Sequence, residues 1–392
     1  MPKQDQVHFR RSPHVISYWD SERLIFENFA VGTRAVAEPI TTELLHFFDR
    51  WRSAQGLFDR MSGFGRPSVR QALRSLVKCA LLERSDRPRD PRNRQVAGWG
   101  SWNPVASYFH FSTKYVPNRR NLATEVRGLR QHIQQSPRPN PLKRYRGAAL
   151  IPLPPARAEG EFASVLLARR TWRKFSERPV DLADLSTLLR LTWGVQRWWS
   201  IRGVGRVPLK TSPSGGACHP LEVYILARRI AGLPQGLYHY VADRHELEVL
   251  CQGPGTATLR TYIPMQWWYQ PAAALLVMTA VFPRKQWKYE SPRAYRSVLL
   301  EAGHFCQTFC LVGTWLGLAP FCTAALDDSR IEHDLGVDGV TESVLYAAGI
   351  GCRPPGATWA PWPDPPRRPS LVSPNREARA GRSGLLWMRT GE

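Results

Sequence analysis

Paired cysteines, long apolar runs and acidic residues are all scarce in this 392-residue chain. Seven cysteines, at 79, 218, 251, 306, 310, 322 and 352, are odd in number and form no Cys-x-x-Cys pair. A disulfide framework or a zinc ribbon is therefore excluded as the organising device. His304, Cys306 and Cys310 lie close together inside an apolar helical run, where core packing is expected rather than a metal site. The longest apolar run, residues 272–282, is too short to span a bilayer. The opening Met-Pro-Lys-Gln-Asp-Gln has no apolar h-region, so a soluble, cytoplasmic protein is expected. Only 32 Asp and Glu stand against 54 Lys and Arg, a formal charge of +22. Residues 1–150 hold 26 basic against 12 acidic side chains, residues 151–353 hold 22 against 17, and the rest 6 against 3. This uneven excess points to an anionic partner (nucleic acid, acidic peptide or membrane surface), or else to an Arg-rich proteome. What the chain has in quantity is proline, 33 residues, and tryptophan, 15. Its length allows two or three domains and at least one sizeable core.

Residues 14–37 alternate as short strands around a turn at Asp20-Ser21-Glu22-Arg23. Thr41 or Thr42 is the expected cap of a helix carrying Leu44, Leu45, Phe47, Phe48 and Trp51 inward. A second helix opens at Pro67 with Val69, Leu73, Leu76 and Val77 on one face. Arg66, Arg70, Arg74 and Lys78 form a basic stripe on it, either a solvated face or a docking surface. Residues 1–96 thus read as a small winged-helix-like module for peptide or partner docking. Residues 84–98 read as a charged, proline-broken linker. Residues 97–157 combine an aromatic cluster, Trp99 to Phe111, expected to pack between the two halves, with a second Pro- and Arg-rich linker over 137–157. From residue 158 helices and strands alternate: a helix after Asp181, buried strands at 222–227, 273–280 and 343–348, and a long helix from Pro292 to Leu318. Residues 354–392 read as a disordered tail.

Chemistry concentrates in four places. Arg169, Arg170, Thr171 and Arg173 end an apolar helical turn, and alternate positions of an extended segment point the same way, suiting a phosphate dianion. Lys210 to Pro220 contains Pro213, Ser214, Gly215 and Gly216, where glycines let backbone amides approach a flat or anionic ligand, or simply form a tight turn. The stretch 318–328 places Ala324 and Ala325 after the long helix, and Arg353 follows a glycine at a strand end. Lys288-Tyr289 is the clustered proton-transfer pair. A lysine base needs a desolvated or cationic setting, which Arg293 and Arg296 could supply.

The ordered set Arg-Arg-Thr-Trp-Arg-Lys-Phe (169–175), Ser-Pro-Ser-Gly-Gly (212–216), Gly-Leu-Tyr-His-Tyr (236–240), Glu-Ala-Gly-His (301–304) and Thr-Ala-Ala-Leu-Asp-Asp (323–328) resembles the nitroreductase superfamily. The resemblance is specifically to its SagB-type branch of thiazoline and oxazoline oxidases. His-Val-Ile-Ser-Tyr-Trp (14–19), Trp-Gly-Ser-Trp (99–102) and Phe-His-Phe-Ser-Thr (109–113) extend it toward the N-terminus. The resemblance implies an α+β nitroreductase-like flavin fold over 158–353, a central mixed sheet with long core helices, preceded by the small module. It implies FMN at sites shared between two protomers, a homodimer. Arg169, Arg170, Thr171 and Arg173 would hold the phosphate and ribityl chain with help from Arg353. Pro213, Ser214, Gly215 and Gly216 would approach from the partner protomer, and the Ala324–Ala325 backbone would donate near the flavin N5. Lys288 and Tyr289 match the catalytic pair of azoline oxidases, although Tyr289-Glu-Ser-Pro-Arg293 departs from the family's Tyr-Gly-x-Arg. The implied activity is oxidation of azoline rings, or a related Cα–Cβ desaturation, in a ribosomally made peptide; the implied partners are that peptide with an acidic leader and a cyclodehydratase. Membrane and nucleic-acid partners are not implied. The alternatives are an NAD(P)H-dependent nitro- or quinone reductase, which needs no docking module, and a DNA-binding regulator with a flavin-like sensory domain.

Overall fold

The computed structural model describes residues 7–114, 131, 134–135, 154, 158–202, 205–253 and 258–357. The linker expected over 137–157 (all but residue 154) and the tail beyond residue 357 lie outside them. Strands β1 (His8–Arg11), β2 (Val15–Asp20), β3 (Arg23–Asn28), β4 (Thr33–Val36), β5 (Arg52–Ser53) and β6 (Leu82–Arg84) pair as two antiparallel sheets, β5–β1–β6 and β2–β3–β4. Asp20 pairs with Arg23, so Ser21 and Glu22 make the expected turn, Ser21 at a φ of 57°. Helices Ile40–Phe47, Gln55–Arg60 and Arg66–Lys78 close a core of Leu44, Leu45, Phe48, Val69, Leu73 and Leu76. The first helix starts one residue before the expected caps. Pro39 holds the cap position and Thr41 is buried inside the helix. Trp51 stays half-buried because the Arg10 and Arg89 guanidinium groups lie over its ring at 5.0 and 5.4 Å. The basic stripe from Arg66 to Lys78 is solvent-exposed.

The expected linker over 84–98 is partly helical. Asp90 caps a helix Pro91–Ala97 by accepting from the Arg92 N–H, and Pro91 occupies the first turn, where its missing donor costs nothing. Proline here starts a helix instead of interrupting one. Beyond it, Trp99 and Trp102 are 3% and 0% exposed, and helix Val105–Lys114 adds His110 and Phe111 to the same wall. Trp99 lies 4.8 Å from Phe282 and Trp102 lies 6.1 Å from Tyr295, so the aromatic cluster packs against the C-terminal half, as its density demands.

The remaining strands are β7 (Val180–Asp181), β8 (Arg197–Ile201), β9 (Gly205–Leu209), β10 (Leu221–Ala227), β11 (Ile230–Ala231), β12 (Gly236–Val241), β13 (Glu246–Gln252), β14 (Ala274–Val281), β15 (Phe321–Thr323) and β16 (Glu342–Ile350). The central sheet runs β13–β12–β10–β14–β16–β15. The α+β class and the central sheet are as expected, but each of these neighbours pairs antiparallel, so the sheet is not mixed. Among the described residues parallel pairing is confined to β7 with β11. The reason is physical: an unbroken apolar strand reports burial on both faces, not strand direction. On β14, Leu276, Met278 and Ala280 face one core cluster while Leu275 and Val277 face the other.

The long helix runs Ala294–Trp315, shorter at both ends than expected. Asp181 sits at the N-cap position of helix Leu182–Thr192, although its carboxylate makes no capping bond. Cys306 and Cys310 are buried in the main core and His304 is exposed. Among the described residues, no helix is long and apolar enough to cross a membrane.

Candidate functional site

The helix Glu161–Ala168 ends at Arg169, which turns out of helical geometry at φ −57° and ψ 123°. The chain then runs extended along β15 and the end of β16. The Trp172 N–H donates to the Pro320 carbonyl at 3.0 Å, and the Ser176 N–H donates to Cys352 at 3.0 Å. Trp172 is 2% exposed, and Phe175 packs on Phe321 with ring centres 5.7 Å apart. These anchors leave Arg169, Thr171 and Arg173 at alternate, half-buried positions, the arrangement a phosphate needs. The Cys322 sulfur interacts with the Cys306 and Cys310 thiols. These bonds hold it below the usual thiol range, and the Arg169 charge adds to the effect. Arg169 therefore lies near Cys322 on β15, the strand that ends just before Ala324.

Two neighbouring cations are already engaged. Arg170 donates to the carbonyls of Leu167 and Arg169 at 2.9 and 2.7 Å, closing the helix end. Arg353 donates from Nε to Leu318 at 2.9 Å and from Nη2 to Thr314 at 3.1 Å, capping the long helix. Its guanidinium also lies 5.1 Å from the Trp172 ring centre. Of the Ala324–Ala325 pair, the Ala325 N–H donates to Thr323 Oγ1 at 3.0 Å, while Ala324 is exposed.

A second group gathers around the loop from Ser212 to His219, where Gly216, Ala217 and His219 take φ values of 71°, 54° and 42°. Gly216 takes its angle freely, whereas Ala217 and His219 store strain that the surroundings must hold. Ser214 donates to the Glu301 carboxylate at 2.6 Å and accepts from the His219 N–H at 2.9 Å; Glu301 is 1% exposed. From the other side the short helix Pro283–Gln286 delivers Lys285, 1% exposed, whose Nζ donates to the Gly215 carbonyl at 2.8 Å. Lys288 donates to the Gly216 carbonyl at 3.2 Å. A Cβ at Gly216 would sit 2.6 Å from the Tyr289 hydroxyl and 2.9 Å from Lys288 Nζ, so both polar heads converge on one point. Lys288 and Gly216 border a cavity of about 280 Å³ that Arg206, Pro208, Arg284 and Trp287 also line.

Sequence reasoning missed Lys285. Its Nζ is 5.2 Å from the Tyr289 ring centre, whereas Arg293 and Arg296, the expected cationic neighbours, are exposed, and no bond from either to Lys288 or Tyr289 is present among the described residues. The signal was its position three and four residues before the pair, and the turn that follows the short helix closes on the Lys285 carbonyl, which accepts from the N–H groups of both. The structure thus assembles two groups: Arg169, Thr171, Arg173 and Ala324 along β15, and Pro213 to Gly216 with Lys285, Lys288 and Tyr289.

The nitroreductase family pattern matches residues 166–352. The protein named Putative nitroreductase MJ1384, from Methanocaldococcus jannaschii, is 31% identical over 179 residues, covering 46% of this chain and 86% of its own length. The chain belongs to the nitroreductase family. It is also similar to the trifolitoxin-processing protein TfxB of Rhizobium leguminosarum bv. trifolii, at 24% identity over 328 residues, 77% of this chain and 86% of that one. Among solved structures, the Escherichia coli microcin synthetase McbBCD complex with truncated pro-MccB17 bound aligns at 20% identity and a TM-score of 0.42, over 62% of this chain and 86% of that one.

Proposed function

We propose that this nitroreductase-family oxidoreductase is an FMN-dependent dehydrogenase that oxidises azoline rings, or makes a related Cα–Cβ desaturation, in a ribosomally made peptide. The convergence of the Lys288 ammonium and the Tyr289 phenol on Gly216, at the mouth of an exposed groove, carries this reading. A proton-transfer pair at that spot has work to do in a dehydrogenation, which must take a proton from Cα as a hydride leaves Cβ. The two hydrogens depart as H⁺ and H⁻, and an azoline becomes an azole. Bound FMN would supply the hydride acceptor.

The residues present fit that cofactor. Arg169 and Arg173, with Thr171 between them, offer two forks and a hydroxyl to the phosphate from a strand held rigid by Trp172. Arg170 and Arg353 brace the helix ends around that position instead of gripping the phosphate, and Arg353 keeps unused donors on its fork for a secondary role. The Ala324 amide is the candidate donor to the ring. The two groups stand on different elements, and in the homodimer of this reading each site takes its arginines from one protomer and its glycine loop from the other. Phe162, Leu167, Leu300 and Trp315 are 69%, 63%, 63% and 49% exposed on two helices that the Trp315 Nε1 bond to Glu161 at 2.7 Å ties together, and these apolar side chains would face that partner.

A peptide substrate suits the groove. Trp198, Trp199 and Trp287 are 44%, 53% and 75% exposed beside it, and Arg206 and Arg284 border it with no carboxylate among the lining residues. The similarity to the trifolitoxin-processing protein, which extends well beyond the family-matched stretch, supports the same reading. A cyclodehydratase would supply the ring, and the basic N-terminal module would hold an acidic leader. A general NAD(P)H-dependent reductase is the second reading, favoured by the 31% identity to a nitroreductase. Anaerobic mixing separates the two. An azoline peptide that bleaches the flavin and emerges lighter by two hydrogens supports the dehydrogenase, while bleaching by NADPH alone supports the reductase.

A further inference from the structure

We propose that Ser101 and Trp102 are positioning residues for the Lys288–Tyr289 pair, holding the main chain at Tyr289 and Glu290 so that the ammonium and phenol converge on Gly216; this rests on the dehydrogenase reading above. The pair lies in the irregular stretch between helices Pro283–Gln286 and Ala294–Trp315. Its own N–H groups are used locally, Lys288 and Tyr289 both donating to the Lys285 carbonyl at 3.2 and 3.0 Å. Its carbonyls are met from far away in sequence. The Trp102 indole N–H donates to Tyr289 O at 2.8 Å, and the Ser101 hydroxyl donates to Glu290 O.

The donors stand on a fixed wall. Trp102 is 0% exposed and its ring packs edge-on against Phe282 and Tyr295, the residues that bracket the stretch on either side. Trp99 donates to Val340 O at 3.1 Å and lies 4.8 Å from Phe282, while His110 Nδ1 pairs with the Tyr295 hydroxyl at 2.8 Å. Burial pushes the His110 pKa down to about 3, so this last contact keeps one protonation state across the working pH range. Both ends and the middle of the segment are thus gripped by residues 99–110, and the reactive side chains reach the other way, to the glycine loop. A reacting group needs placement to well under an ångström, which an unsupported loop does not provide. The aromatic segment of the N-terminal half therefore serves the reacting pair as well as the core.

Trp102→Phe keeps an aromatic ring in the wall but removes the N–H and leaves a small void, and Ser101→Ala removes the second donor at an exposed position that cannot unfold the chain. Both variants should keep their FMN, Trp102→Phe melting a few degrees low and Ser101→Ala as wild type. With an azoline peptide the turnover rate should fall about ten-fold in Trp102→Phe and several-fold in Ser101→Ala, with the peptide KM within about two-fold of wild type. Reduction of the flavin by dithionite should be unchanged. Hydrogen exchange of the 286–291 amides should quicken in Trp102→Phe. Unchanged turnover and exchange in both variants overturns the proposal, as does a higher KM with turnover intact. Should Trp102→Phe fail to fold, Ser101→Ala decides. If wild type leaves azolines untouched yet exchange still quickens, the positioning role stands and the dehydrogenase reading falls.

Discussion

Replacing Gly216 with alanine separates the chemistry of the site from its stability. The new Cβ would lie 2.6 Å from the Tyr289 hydroxyl and 2.9 Å from Lys288 Cδ and Nζ, against an ordinary contact of about 3.5 Å. Those atoms are the free ends of flexible side chains, so they would move by roughly 0.5–1 Å and the fold would survive. The backbone cost is separate: at φ +71° an L-residue pays roughly 1–2 kcal/mol, a few degrees of melting temperature. A reacting group displaced by about 1 Å loses on the order of 100-fold in rate. Gly232→Ala is the control, since Gly232 has a φ of +77° and no atom within 4 Å of its Cβ position. Both variants should melt a few degrees low, but only Gly216→Ala should reduce flavin slowly when mixed anaerobically with an azoline peptide in a stopped-flow instrument. A Gly216→Ala rate within two-fold of Gly232→Ala refutes the assignment of Lys288 and Tyr289.

Three further outcomes are expected. Arg169→Ala and Arg173→Ala should each weaken FMN binding by roughly 10- to 100-fold, one charge-assisted bond apiece, read by quenching of flavin fluorescence; unchanged affinity removes the phosphate site. Asp328 is raised from 3.8 to about 7 by burial and by the neighbouring Glu332 charge. Its folded value lies above its unfolded one, so its contribution is intact below about pH 4 and lost as pH rises through about 7. Asp328→Asn should therefore raise the melting temperature more at pH 8 than at pH 5, by roughly 1–3 kcal/mol equivalent once partial solvent exposure is allowed for. Leu300→Glu, at one of the exposed apolar side chains assigned to the partner protomer, should yield a monomer by light scattering with little retained FMN, and an intact dimer would place the interface elsewhere.

The sequence carried the elements and the positions of chemistry further than it carried their use. Burial of β14 on both faces and the apolar face of Arg66–Lys78 were legible because hydrophobic patterning is local. Strand direction was not, since β10 and β14 read equally well as parallel or antiparallel partners. Asp90-Pro91 looked like a break because proline was weighed without the capping carboxylate before it. The arginines near residue 170 were found as a cluster, but nothing local says that the forks of Arg170 and Arg353 end on backbone carbonyls. Lys285 was overlooked because burial of a lysine depends on a glycine loop 70 residues earlier in the chain. The grip of Ser101 and Trp102 on Tyr289 and Glu290 spans almost 190 residues and has no sequence signature at all.

The most direct measurement is anaerobic: the purified protein, loaded with FMN, is mixed with an azoline-bearing peptide while flavin absorbance and peptide mass are followed together. Bleaching matched by loss of two hydrogens from the peptide is the expected result. A protein that refuses FMN at micromolar concentration, or a bound flavin that stays oxidised with the peptide and bleaches only with NADPH, contradicts it.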